Sequence, residues 1–238
     1  AAEAEAAEAW RGGESRAMME RRLMRLLDED RAKGAKLLIP TAKRRVEGES
    51  FQGATVLEPV RGFYTLPVST LDFASLYPTI IRAHNLCYST LLTPDQVKLL
   101  KAGQLRTQDA RSMLLTEEDV TLTPNGDTFV KSHVTQGLLP TMLKELAALR
   151  KNAKKLMAQA TDAFEKGVYN GRQLSLKVSM NSIYGFTGAQ VGDLPCLAIS
   201  SSVTGFGRQM IEQSKNYAET TYCKKNGYPF DALCVYGD

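Results

Sequence analysis

Leu71-Asp72-Phe73-Ala74-Ser75-Leu76-Tyr77-Pro78-Thr79-Ile80 places one carboxylate where an apolar, β-type run from Phe63 to Leu71 ends. A tight Ala74-Ser75 turn follows, and the Tyr77-Pro78 step opens a helix expected to run into Ile81 and His84. A lone Asp leaving a strand ordinarily caps the next helix. Two further clusters compete with that plain reading. One is Lys177-Val178-Ser179-Met180-Asn181-Ser182-Ile183-Tyr184-Gly185, far downstream. The other is Val235-Tyr236-Gly237-Asp238, where a second apolar β-type run ends in a carboxylate.

Spacing gives these clusters geometric content. If the strands that end in Asp72 and Asp238 are neighbours, both acids reach one rim of one sheet. Lys177 and Asn181 are four apart and so share one helical face, as do Arg150 and Lys154 on the preceding predicted helix. An antiparallel pair of these helices would let all four converge on one anion. The plain alternative is a solvated basic face, which is expected for Lys144, Lys151 and Lys155. The amides of Ser75 and Leu76 fall in the turn before a helix, where N–H groups point at anions. An ordinary N-cap by the Ser75 hydroxyl is compatible with that. Taken alone, Tyr77 reads as a ring packed in the core before a proline. Tyr184 and Gly185 read as a helix end with glycine as the stop.

The chain has 238 residues, with 43% hydrophobic and 24% charged, ordinary values for one or two globular domains. No apolar run reaches membrane-spanning length and no leader is recognisable, so no membrane partner is expected. Cys87, Cys196, Cys223 and Cys234 show no CxxC spacing and sit among apolar or aromatic neighbours. Reduced, buried thiols in a cytosolic or nuclear compartment are expected, without a zinc site. A net charge of +4 alone would not indicate nucleic acid. Its distribution does more: Met142 to Val178 carries eight Lys or Arg against three Asp or Glu, a local basic stretch suited to phosphate.

Along the chain, residues 1–18 form an Ala/Glu-rich tail, expected to be disordered or an isolated helix. Met19, Leu23, Leu26 and Leu27 follow helical spacing up to Gly34. Leu37–Ile39 and Ala54–Leu57 read as short strands. Residues 93–119 read as a polar surface excursion with room for one short helix. Pro124-Asn125-Gly126-Asp127 marks a hairpin tip. Leu138-Leu139-Pro140 opens a long helix to about Ala160. A break over Thr161 to Gly171 and a second long helix from Arg172 to about Tyr184 are expected next. Gly185, Gly188 and Gly192 mark a loop. Val203, Phe206, Met210 and Tyr217 share a helical face, and Ala232 to Tyr236 is a final strand.

The three ordered clusters resemble the patterns DxxSLYPSII, KxxxNSxYG and YGDTDS of the palm and fingers of family B DNA polymerases. The resemblance covers roughly residues 20–238. Gly53-Ala54-Thr55-Val56-Leu57-Glu58-Pro59, Tyr184-Gly185-Phe186-Thr187-Gly188-Ala189-Gln190-Val191-Gly192, Leu194-Pro195-Cys196-Leu197 and Ser201-Ser202-Val203-Thr204-Gly205-Phe206-Gly207-Arg208 look most like its eukaryotic replicative branch. Herpesvirus-type members share the YGFTG and LPCL elements. Thr79 stands where the family often has Ser, and residues 93–120 exceed the usual length.

The resemblance implies an α/β (α+β) fold: a palm with an antiparallel sheet, formed by 19–137 and 185–238, and a two-helix fingers projection over 138–184. It implies DNA-directed DNA synthesis with two Mg²⁺ ions and dNTP as substrate. The implied metal ligands are Asp72, the Phe73 carbonyl and Asp238. The implied nucleotide contacts are Ser75, Leu76, Tyr77, Arg150, Lys154, Lys177 and Asn181, with Lys177 also steadying charge on the departing pyrophosphate. Tyr77 would lie beneath the sugar and leave no room for a 2′-hydroxyl, while Tyr184 and Gly185 would face the minor-groove edge of the nascent pair. Implied partners are primer–template DNA and, for a longer parent enzyme, a sliding clamp and accessory subunits, in the nucleus. The second acid of the YGDTDS pattern lies beyond Asp238, so the chain reads as a piece of a longer enzyme, inactive by itself. The competing reading is a non-catalytic polymerase-like scaffold that binds DNA.

Overall fold

The computed structural model describes residues 53–107, 112–189 and 195–238. The expected tail, the helix to Gly34 and the strand Leu37–Ile39 lie outside the described residues.

Helix α1 spans Leu76–Ala83 and buries Pro78, Ile80 and Ile81 on one side. Asn85, two residues past its end, takes φ 54°. Asparagine tolerates this left-handed conformation better than most residues. The Asn85 side chain then replaces missing backbone partners. Its Nδ2 donates to the carbonyls of Val130 and Thr135, each at 2.8 Å, and its Oδ1 accepts from the Gly137 amide at 2.9 Å. Gly137 is required there, because a Cβ would lie 2.8 Å from Cys87 Cβ.

Helix α2 spans Pro94–Lys101 inside the polar excursion, and a capping box starts it. Thr93 Oγ1 accepts from the Gln96 amide at 3.3 Å, and Gln96 Oε1 accepts from the Thr93 amide at 2.8 Å. Leu100, Leu105, Leu115 and Val130 form a small core beneath it. Strands β1, Val120–Leu122, and β2, Thr128–Val130, pair antiparallel with Thr121 opposite Phe129. The tip between them is the expected one, with Gly126 at φ 90°.

Helix α3 spans Leu138–Gln159 and helix α4 spans Ala163–Gly188. The expected break over Thr161 to Gly171 shrinks to a short connection. Asp162 caps α4, its carboxylate accepting from the Glu165 amide at 3.0 Å. The helix then continues through Gly167, Gly171 and Gly185. Each interior glycine costs about 1 kcal/mol against alanine. Packing offsets that, because α4 buries Met180 and Ile183 in the main core, and burying one large apolar side chain contributes about 1.5–3 kcal/mol. The short link makes the two helices antiparallel neighbours.

Helix α5 spans Leu197–Thr221 and carries Ile199 and Val203 into the same core as Ile80, Ile81, Phe129, Leu139, Leu143 and Ile183. That core ties α1 to both long helices and so fixes where the Asp72–Ser75 turn sits. The chain is thus a mixed helical fold with a small antiparallel sheet and a long antiparallel helix pair. The expected strands Ala54–Leu57 and Ala232–Tyr236 meet as a single bridge, the Leu57 amide donating to the Gly237 carbonyl at 2.7 Å and the Val60 amide to the Val235 carbonyl at 2.9 Å. Phe63 to Leu71 is not a strand: it has no ladder partner among the described residues, and Phe63 and Leu71 are exposed. A β-type composition reports fitness for a pleated, half-covered surface, and this run meets none there. Among the described residues no helix is long and apolar enough to cross a membrane.

Candidate nucleotide site

The turn that opens α1 is built around Ser75, which holds φ 53° and ψ 53°. That left-handed conformation costs an L-residue about 1–2 kcal/mol. The Ser75 hydroxyl does not cap α1, contrary to the plain sequence reading. It accepts instead from Arg150 Nη1 on α3 at 3.3 Å. Arg150 Nε donates to Gln173 Oε1 on α4 at 3.3 Å, and Gln173 Nε2 donates to Asn170 Oδ1 at 3.1 Å. One guanidinium therefore joins α3 to α4 and to a turn 75 residues earlier in the chain. Both of its partners are neutral, so its charge is not compensated by a carboxylate among the described residues. The amides of Ser75 and Leu76 at the same turn find no protein acceptor among the described residues.

Tyr77, in the first turn of α1, meets Tyr184 of α4 with ring centroids 4.4 Å apart and planes tilted by 43°. Both rings are half-buried at the edge of the main core. Burial, and then the neighbouring Tyr77 hydroxyl, push the Tyr184 phenol up from its usual range. The expected stop at Gly185 is not there, since α4 runs on to Gly188. A Cβ at Gly185 would meet nothing within 4 Å, so open space lies beside Tyr184.

Lys154, Lys177 and Asn181 are exposed. Their spacing leaves Lys177 and Asn181 on one face of α4, and Arg150 and Lys154 on one face of α3. Asp72, Phe73 and Asp238 are also exposed. Among the described residues no group of three or more His, Cys, Asp or Glu side chains gathers at metal-holding spacing. Asp238 instead touches its own neighbour. Partial desolvation, then the charge and hydrogen bond of Asp238, push the Tyr236 phenol up.

Sequence reasoning missed Gln173, although it lies four residues before Lys177 and so shares its face. It missed Asn85 as well, whose place just past a helix end is a recognisable signal. His84 stacks on Phe206 at 3.7 Å and 4°, and burial lowers its pKa. Nothing in the sequence pairs those two rings.

Comparison with known proteins bears on all of this. The family model described as DNA polymerase family B matches residues 15–238. The chain is 54% identical over 202 residues to the DNA polymerase delta catalytic subunit of Candida albicans, covering 85% of this chain and 18% of that protein. It is 54% identical over 202 residues to the Bos taurus protein of the same name, covering 85% of this chain and 17% of that one. It is similar in structure to the family B DNA polymerase from the hyperthermophilic archaeon Pyrobaculum calidifontis. The TM-score is 0.56 and the identity 28%, over 83% of this chain and 22% of that one. The chain thus spans less than a fifth of the length of these curated relatives.

Proposed function

The chain belongs to DNA polymerase family B, and on that premise we propose that it supplies the palm and fingers of a DNA-directed DNA polymerase. In this reading residues 19–137 and 185–238 form the palm, 138–184 the fingers, and 1–18 a tail. The substrates are dNTP and primer–template DNA. The parent enzyme works in the nucleus with a sliding clamp and accessory subunits. The observation that carries the reading is the Arg150 guanidinium, which reaches from the helix pair to the Ser75 turn with its charge uncompensated. A scaffold has no need of a cation spanning those elements.

Asp72, Asp238 and the Phe73 carbonyl would hold two Mg²⁺ ions. All three donors are oxygens, the set that Mg²⁺ prefers, and both carboxylates are exposed to solvent. Bound there, such ions supply acidification of a primer hydroxyl and neutralisation of leaving-group charge. The chain's own residues do the remainder. Arg150 offers a planar fork to phosphate oxygens, and Lys154 and Lys177 offer point charges. Lys177 steadies the charge that grows on the departing pyrophosphate. Asn181 donates from the same face as Lys177. The free amides of Ser75 and Leu76 suit the distal phosphates. Tyr77, backed by Tyr184, forms a floor beneath the sugar that leaves no space for a 2′-hydroxyl. Tyr184, with the open space at Gly185, faces the minor-groove edge, where all correct pairs present similar acceptors.

The test is primer extension by the purified parent enzyme carrying Asp72→Asn, with DNA affinity measured alongside. Loss of extension with retained DNA binding is expected. Undiminished extension would return the chain to the scaffold reading.

A further inference from the structure

We propose that Gln173 is a positioning residue for nucleotide binding: its amide fixes the rotamer of Arg150 and so aims the guanidinium at the triphosphate. The inference rests on the reading of Arg150 given above. Gln173 is buried on a helix whose neighbouring positions 172 and 174 are exposed. A buried amide needs partners, and these are side chains, not backbone: Arg150 Nε at 3.3 Å and Asn170 Oδ1 at 3.1 Å. The orientation of the amide follows from the donor inventory. Arg150 Nε can only donate, so Gln173 must turn Oε1 toward it, and its Nε2 then needs an acceptor. Asn170, one turn earlier on α4, supplies that acceptor. The chain Asn170–Gln173–Arg150–Ser75 therefore has a single direction of donation from Arg150 outward at both ends of the guanidinium.

Both long bonds are to neutral oxygens. A carboxylate at position 173 would have held Arg150 more tightly but would also have cancelled its charge. A neutral amide holds the side chain in place and leaves the positive charge for a phosphate. The Nε grip also leaves the terminal nitrogens for the ligand, with Nη1 resting on the weakly held Ser75 hydroxyl. An incoming phosphate oxygen is a stronger acceptor than a serine hydroxyl and would displace it. Without Gln173, Arg150 would sample several rotamers, and ordering them would raise the free energy of nucleotide binding.

The experiment uses the full-length parent polymerase with Gln173→Met, Arg150→Ala and the double variant. It measures kcat and KM for dNTP, the Kd for primer–template and the melting temperature. Gln173→Met keeps volume and removes the acceptor. It should raise the dNTP KM by about 5–10-fold, the equivalent of one modest hydrogen bond. DNA Kd should not change. In the Arg150→Ala background the same substitution should change KM by less than about twofold, since residues acting through one another are not additive. If Arg150→Ala itself leaves KM unchanged, the triphosphate reading falls and the inference falls with it. If Arg150→Ala raises KM but Gln173→Met does not, only the positioning role is overturned. Equal effects of Gln173→Met in both backgrounds overturn it too, because Gln173 would then act without Arg150. Should Gln173→Met fail to fold, Asn170→Ala carries the same test. Asn170 is exposed, so its loss spares the core while freeing the Gln173 amide. It should raise KM in the parent and leave the Arg150→Ala enzyme unaltered, and the opposite pattern refutes the relay.

Discussion

Replacing Tyr77 separates a sugar gate from a plain core aromatic. The ring is half-buried, packs at the edge of the main core and meets Tyr184 at 4.4 Å. Truncating a fully buried aromatic to alanine costs about 3–5 kcal/mol, so a half-buried ring should cost roughly 2. The lost ring pair adds about 0.5–1.5 kcal/mol. Tyr77→Ala in the parent enzyme should therefore lose about 2.5–3.5 kcal/mol of stability, less than the roughly 5–15 kcal/mol of a typical domain. The variant should fold. Opening the space should then admit a 2′-hydroxyl. Pocket differences of that size are worth about 1–3 kcal/mol, or at least about tenfold in selectivity. The assay is the ratio of kcat/KM for a deoxyribonucleotide to that for its ribonucleotide, with melting temperature measured in parallel. Tyr77→Phe, which keeps the ring, should leave the ratio unchanged. A folded Tyr77→Ala enzyme with an unaltered ratio would show that the ring is only core.

Three further outcomes are expected. Lys177→Ala in the parent removes one charge-assisted phosphate contact, worth about 1.5–3 kcal/mol, and because Lys177 is exposed the low end applies. Steady-state incorporation should fall by about tenfold in kcat/KM for dNTP while DNA affinity holds, and unchanged incorporation would make Lys177 a solvated surface charge. Asn85→Ala strands the Val130 carbonyl and the Gly137 amide, both in buried hydrogen bonds, and the Thr135 carbonyl in a part-buried one, so chemical denaturation should show a loss of about 2–5 kcal/mol. A loss under about 1 kcal/mol would mean that these groups find other partners. The Asp119 carboxyl is held down at about 2 by the hydrogen bond from His133, then by the Thr116 amide and hydroxyl. Its folded pKa lies below the unfolded one, so its contribution is present above about pH 4 and is lost as pH falls toward 2. Melting curves of wild type and Asp119→Asn should differ at pH 5 and converge near pH 2. A constant difference across that window would remove Asp119 as the cause.

What the sequence disclosed, and what it withheld, divides along physical lines. Local signals were legible. The Asn125-Gly126 tip, the start of α3 at Leu138 and the helical register of α5 each depend on nearby residues, and each was found where expected. Ser75 and Arg150, both expected on one nucleotide, do meet in space. The contact of Tyr77 with Tyr184 was not foreseen, because Tyr184 was expected on the minor-groove edge of the nascent pair and not beside Tyr77. Where reasoning went astray, tertiary packing outweighed a local preference. Gly167 and Gly171 would break a solitary helix, but α4 lies along α3 and keeps its turns. Gly185 reads as a stop only if no further turn packs beyond it, and the Thr187 carbonyl beyond it accepts from the Cys196 amide at 2.8 Å. The Phe63 to Leu71 run shows the converse. Its composition is that of a strand, yet a ladder belongs to two strands, and composition describes only one of them. Gln173 was illegible for a related reason. A buried glutamine announces itself only through the arginine it holds, and that arginine comes from another helix, across a hairpin whose closure no local signal could place to the residue.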